Sequence, residues 1–142
     1  MKTTERFIQE YITREGTNPF REWFDSLKDV RTRAKMDVRI GRKMMATVNY
    51  QEGLLKRLQD PEYASEYLNE ALKEGSQEMF MLALRDVAKA KGISQVAKET
   101  NLNRETMYRM LSEKGNPNLS SLNKLLNTLG LTLSIGRKES AA

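Results

Sequence analysis

The stretch from Ile93 to Leu111, ISQVAKETNLNRETMYRML, restricts the fold more than any other part of the chain. It reads as a two-turn helix over 93–100, a tight turn at Asn101-Leu102, and a second short helix capped by Asn103 and running to about Glu113. Helices this short do not persist alone in water, so each must bury its apolar side on a neighbour. Ile93, Val96, Ala97, Leu102, Met107 and Leu111 fall where two helices crossing steeply must touch. Ala97 is small enough for the close crossing, and Leu102 plugs the turn. This pattern is that of a helix-turn-helix.

The same punctuation divides the remaining chain. Residues 4–13, TERFIQEYIT, alternate in part and read as a strand, which Gly16 and Pro19 break. Asn18-Pro19 opens a short helix with Phe20, Trp23, Phe24 and Leu27 on one face. Residues 30–44 read as a very basic second helix whose weak apolar stripe is Val30, Ala34, Val38 and Gly41 or Met45. A third helix over about 49–58 groups Leu54, Leu55 and Leu58. Asp60-Pro61 starts a fourth, carrying Tyr63, Ala64, Tyr67, Leu68, Ala71 and Leu72 at helical spacing. Ser76 caps a fifth, with Phe80, Leu84, Val87 and Ala88 inward and Gly92 as its stop. Beyond the loop 114–118, Asn118 or Ser120 caps a helix lined by Leu122, Leu125, Leu126 and Leu129 and closed by Gly130. Leu131, Leu133 and Ile135 then alternate with polar residues, which predicts a short closing strand. The expected fold is mainly α: a helix-turn-helix bundle over 45–138 with a short C-terminal strand, preceded by a β-α-α fragment over 1–44 and followed by a frayed tail at 139–142.

Composition narrows the chemistry. The 142 residues include no cysteine and no histidine, which excludes disulfides, thiolate chemistry, zinc sites built on those residues and histidine acid–base catalysis. The carboxylate pairs Glu62/Glu66 and Glu70/Glu74 sit one turn apart on what reads as a solvated helix face. The chain is therefore expected not to be an enzyme and to need no cofactor or metal. It lacks an apolar run long enough to cross a membrane, and Glu5, Glu10 and Glu15 occupy the place of a signal peptide's apolar core. A cytoplasmic protein without a membrane partner is expected. The net charge of +5 is unevenly spread, at +4 over 1–44, −2 over 45–92 and +3 over 93–142. A total of this size is also an ordinary solubility charge.

In a helix-turn-helix, the N-terminal half of the second helix enters the major groove of double-stranded DNA. Here that position holds Asn103, Arg104, Thr106 and Arg109. Gln95 begins the first helix, where it can touch phosphate or brace the second, and Lys98 and Lys114 are placed for backbone contacts that position without reading sequence. Arg104 has the chemistry for a bidentate bond to guanine, and Thr106 can offer its methyl to thymine. The bland alternative is an inert helical pair whose Arg and Lys side chains are merely solvated.

Residues 45–138 resemble the addiction module antidote proteins, also described as HigA-like antitoxins. The likeness is carried by DPEYASEYLNEALKEG and by the long run FMLALRDVAKAKGISQVAKETNLNRETMYRMLSEKGNPNLSSLNKLLNTLGLTLSI. The resemblance implies a lambda-repressor-like, Cro/C1-type helix-turn-helix. It also implies an antitoxin that represses its own operon, binds its operator as a dimer and neutralises a RelE/HigB-like toxin. The DNA-reading surface it implies is Gln95, Asn103, Arg104, Thr106 and Arg109. The competing reading is a protein-interaction module that binds such a toxin, or its own kind, without sequence-specific DNA binding.

Residues 1–44 resemble something else. YITREGTNPFREWFDSLKDVRTRAKMDVRIGR is similar to the opening of a RelE/HigB-like toxin, and the sheet that would follow in that family has no room before Met45. The resemblance implies a truncated toxin fused in frame to an antitoxin, without ribonuclease activity. Such a segment leaves an unpaired strand edge and an aromatic helix face. Phe7, Tyr11, Trp23, Phe24, Leu131 and Leu133 are the candidate partner or dimer contacts. Pairing of two chains through their first strands is the favoured expectation. Docking of the first helices on the acidic face of residues 62–78 is the second, and a loosely ordered segment is the third.

Overall fold

A computed structural model describes residues 7–8, 12–43, 45–46 and 48–139. In chain order the elements are β1 (Phe7–Ile8), α1 (Pro19–Ser26), α2 (Val30–Lys43), β2 (Met45–Ala46), α3 (Val48–Arg57), α4 (Pro61–Lys73), α5 (Gln77–Lys91), α6 (Ile93–Thr100), α7 (Arg104–Met110) and α8 (Leu119–Thr128). Five helices begin on a side chain that takes up an orphan backbone N–H. Asn18 accepts from Arg21, Asp60 from Glu62, Ser76 from Met79, Asn103 from Thr106 and Asn118 from Ser121. Asn118 and not Ser120 is thus the cap of α8. Gly92 ends α5 with φ 104°, a conformation that side chains rarely tolerate.

α5 is flanked by α3, α4 and α6, while α7 and α8 pack on α6. One hydrophobic cluster runs through all of them, with Met81, Leu84, Val96, Met107, Leu111 and Leu125 at its centre. Ala34 and Val38 of α2 belong to the same cluster. α2 lies along α4, and its basic flanks meet acidic partners there: Arg31 with Glu66 at 3.5 Å and Arg39 with Glu74 at 3.8 Å. The spacing is the same on both helices, as for two helices running in the same direction.

Asp37 is fully buried between these elements. Its carboxylate accepts from Arg57 Nε at 3.0 Å and Arg57 Nη2 at 2.7 Å, and from the hydroxyls of Tyr50 and Tyr63. Burial, reinforced by the Asp37 charge, pushes both phenols above their ordinary range, so they remain donors. Burial opposes the charge of Arg57, but the Asp37 hydrogen bonds and negative charge prevail and hold its guanidinium more firmly protonated. Arg57 also stacks over Phe24 at 4.6 Å.

Several expectations change. No C-terminal strand forms: the described residues after Gly130 are neither helix nor strand, because alternation alone supplies no neighbouring strand to bond to. Instead Leu131 tucks against the core and its N–H bonds Leu126 O at 2.8 Å. A free-standing β-α-α fragment is not seen either. Its extended part is confined, among the described residues, to Phe7–Ile8, which pair in parallel with Met45–Ala46 of the same chain, and α2 is built into the bundle. The second expectation, docking of the first helices, is met in part, since α2 lies on the acidic face of α4, where charges are complementary. α7 stops at Met110 and not near Glu113. No helix among the described residues is long and apolar enough to cross a membrane.

Candidate nucleic-acid interface

α6 ends because Asn101 takes the left-handed conformation, φ 58° and ψ 33°, which asparagine tolerates better than most residues. The chain reverses there, with Asn101 N–H bonding Lys98 O at 3.2 Å and Leu102 N–H bonding Ala97 O at 3.0 Å. Ala97, Val96 and Ile93 on α6 and Met107 and Leu111 beyond the turn are all buried, and Leu102 packs against them. Thr100 is buried as well and satisfies its hydroxyl by donating to Val96 O at 2.7 Å. This tight corner fixes how α7 is presented.

The candidate residues divide by role. Arg104 and Arg109 are exposed on α7, with Thr106 half-buried beside them. Asn103 is exposed, but its Oδ1 is held by Thr106 N–H at 2.7 Å, so its amide NH₂ is the part left for a ligand. Gln95 is exposed on α6 and donates to Glu99 Oε1 at 2.9 Å. That bond, with Lys91 at 3.2 Å, holds the Glu99 carboxyl below its ordinary range. A firmly ionised carboxylate thus stands one turn from Gln95 on α6. Lys98 is exposed on α6 and Lys114 in the loop beyond α7. That loop is pinned where Gly115 N–H bonds Ser112 O at 2.8 Å and Gln77 Nε2 donates to Gly115 O at 3.2 Å.

Tyr108 was not singled out by the sequence reading, yet it is 47% exposed between the two arginines. The signal was available: Arg104, Glu105, Tyr108 and Arg109 follow the spacing of one helix face. The buried Asp37 was also missed. It is the lone acid among the cations of α2, and it falls on the Val30, Ala34, Val38 stripe that faces inward.

The candidate partner contacts fare unevenly. Phe24 is 2% exposed under Arg33 and Arg57, so a partner surface cannot reach it. Leu131 is buried too. Trp23, at 49%, and Leu133 remain exposed, the latter lining a groove of about 440 Å³ with Leu68, Leu72, Phe80 and Leu131. Phe7 lies on β1, and Tyr11 falls outside the described residues.

Among known proteins, the chain is 38% identical over 69 residues to an uncharacterized protein of Haemophilus influenzae, a match covering 49% of this chain and 71% of that one. No solved structure matches it. A family model described as "Probable addiction module antidote protein" matches residues 49–137, from the first turn of α3 through α8 and the segment that follows it. The chain belongs to this family of addiction module antidotes.

Proposed function

We propose that the protein is an antitoxin-type, sequence-specific DNA-binding regulator that represses its own toxin–antitoxin operon. The observation that carries this reading is the α6–turn–α7 corner, which buries Ala97 and Met107 and packs Leu102 against them while leaving Arg104, Tyr108 and Arg109 outward. That is the geometry by which a lambda-repressor-like, HigA-like domain presents a helix to the major groove. Lys98, Lys114 and Gln95 then anchor phosphates, and Asn103, Arg104, Thr106 and Arg109 meet base edges. Repressors of this kind read paired half-sites, which favours a homodimer on DNA. Residues 1–44 fit a toxin-derived segment without catalytic function, and the family's name implies a toxin as protein partner.

The test is binding to the DNA upstream of the gene against random duplex of equal length. Specific protection of a two-half-site footprint is expected; equal affinity for both duplexes would refute the repressor reading. Arg104→Ala is expected to cost roughly 1–3 kcal/mol and to relax preference at one base position in each half-site.

A further inference from the structure

A cavity of about 270 Å³ lies between α1 and α3, and so joins an element outside the family match to one within it. Its walls combine two chemistries. Phe20, Phe24 and Tyr50 supply aromatic surface, with the two phenylalanine rings 5.9 Å apart and tilted by 33°. Arg57 and Lys56 supply positive charge. The guanidinium of Arg57 is held against rings, at 4.6 Å from Phe24 and 5.6 Å from Tyr50. Asp37 takes its Nε–H at 3.0 Å and one N–H of Nη2 at 2.7 Å. A guanidinium is a planar fork of N–H donors, and this use of it leaves the Nη1–Nη2 edge with donors to spare. Nη1 has no hydrogen-bond partner among the described residues. It lies beside Gly53, another residue of the wall, where a Cβ would stand 3.1 Å from it. Lys56 is exposed and has no ion pair among the described residues, whereas the acid of the wall, Asp25, lies 3.5 Å from Arg33.

We propose that this cavity binds a small aromatic carboxylate, a single ring bearing a planar acid group. The carboxylate meets the Nη1–Nη2 edge of Arg57 side-on, the arrangement in which guanidinium and carboxylate match bidentately. Asp37 offsets the charge of Arg57, so Lys56 supplies the surplus that favours an anion. The ring lies against Phe20, the half-buried aromatic of the wall, in an offset or tilted contact. Volume sets the size: sites for drug-sized ligands run from roughly 300 Å³ upward, so this one suits a single ring and not a nucleotide or a peptide. Asp37 is a positioning residue here, because it fixes the fork and leaves the edge beside Gly53 for the ligand. A ligand touching α1 and α3 together ties the segment before the family match to the antidote module. The inference does not rest on DNA binding, which the operator assay reads separately.

The experiment titrates the full chain with benzoate and follows the backbone amide resonances by NMR. Benzoate is expected to bind saturably, with a dissociation constant on the order of a millimolar. The shifts should centre on Phe20, Gly53, Lys56 and Arg57 and leave α7 unmoved. Benzamide keeps the ring without the charge, acetate the charge without the ring, and inorganic phosphate a different anion shape. Each is expected to bind at least about tenfold more weakly than benzoate. Two variants leave the Asp37 cluster in place. Lys56→Gln should weaken benzoate by about three- to tenfold. Gly53→Ala, whose Cβ crowds Nη1, should weaken it by at least about fivefold, while the helical signal and melting temperature are kept. Shifts that do not saturate, or that spread without centring on the cavity, would overturn the proposal. So would acetate, benzamide or phosphate binding as tightly as benzoate, or undiminished benzoate binding in either variant.

Discussion

Asn103 holds two tasks that a substitution can separate. Its Oδ1 caps α7, while its amide NH₂ is left for the proposed DNA contact. Asn103→Ala should destabilise the fold by about 1 kcal/mol through loss of the cap. Asn103→Asp keeps the cap and favours the positive helix end, so thermal stability is retained while DNA affinity falls from repulsion of phosphate. If both variants lose DNA binding only in proportion to stability, Asn103 is a cap alone. Gly115 is constrained for a different reason. A Cβ there would stand 2.1 Å from Met110 O, and that obstacle is backbone. Gly115→Ala is expected to cost roughly 1–3 kcal/mol in chemical denaturation, with the loop after α7 displaced. An unchanged denaturation midpoint would contradict the close approach.

Between elements, polar groups do as much to fix arrangement as apolar ones. Tyr67 on α4 donates to Asp86 on α5 at 3.0 Å. Burial holds the Asp86 carboxyl above its ordinary range, although the tyrosine bond works the other way. The folded chain therefore keeps this proton to higher pH than the unfolded chain does. Stability contributed by the site falls as pH rises from the ordinary carboxylate range through the raised value. Asp86→Asn keeps an acceptor for Tyr67 and removes the ionisation, so its melting temperature should equal or exceed that of wild type at neutral pH. A melting temperature lowered equally at neutral and mildly acidic pH would contradict this account. The helices were legible in the sequence because caps act within three residues: Asn18, Asp60, Ser76 and Asn103 announce their own helix starts. The α6–α7 corner was legible because its apolar spacing is local. The seating of α2 was not, since the partners of Asp37 lie in two other helices, and nothing near position 37 names them. The closing strand failed for the related reason that alternation shows a face, whereas a strand also needs a neighbour. α7 stopped early because Gly115 must approach Met110, a contact that no helical periodicity displays.

Over the whole molecule, the net charge of +5 does not say which cations a polyanion can reach. Arg31 and Arg39 are engaged by α4, Arg33 lies 3.5 Å from Asp25, and Arg57 is committed to Asp37. Operator affinity should fall with salt by a logarithmic slope of about 0.9 per phosphate neutralised. Lys98→Ala and Lys114→Ala should each reduce that slope by about 1, and Arg31→Ala should leave it unchanged. A slope altered by Arg31→Ala and indifferent to Lys98→Ala would move the electrostatic footprint from α6–α7 to α2. The lone carboxylate of α2 also acts as a detent. A slide of α2 along α4 by one helical turn, about 5.4 Å, would withdraw Asp37 from all three of its donors together. It would also carry Arg31 and Arg39 out of step with Glu66 and Glu74 at the same moment. An apolar stripe alone would permit such half-slipped positions at little cost. With Asp37 in place, α2 has a single notch on α4, and its seating is all or none.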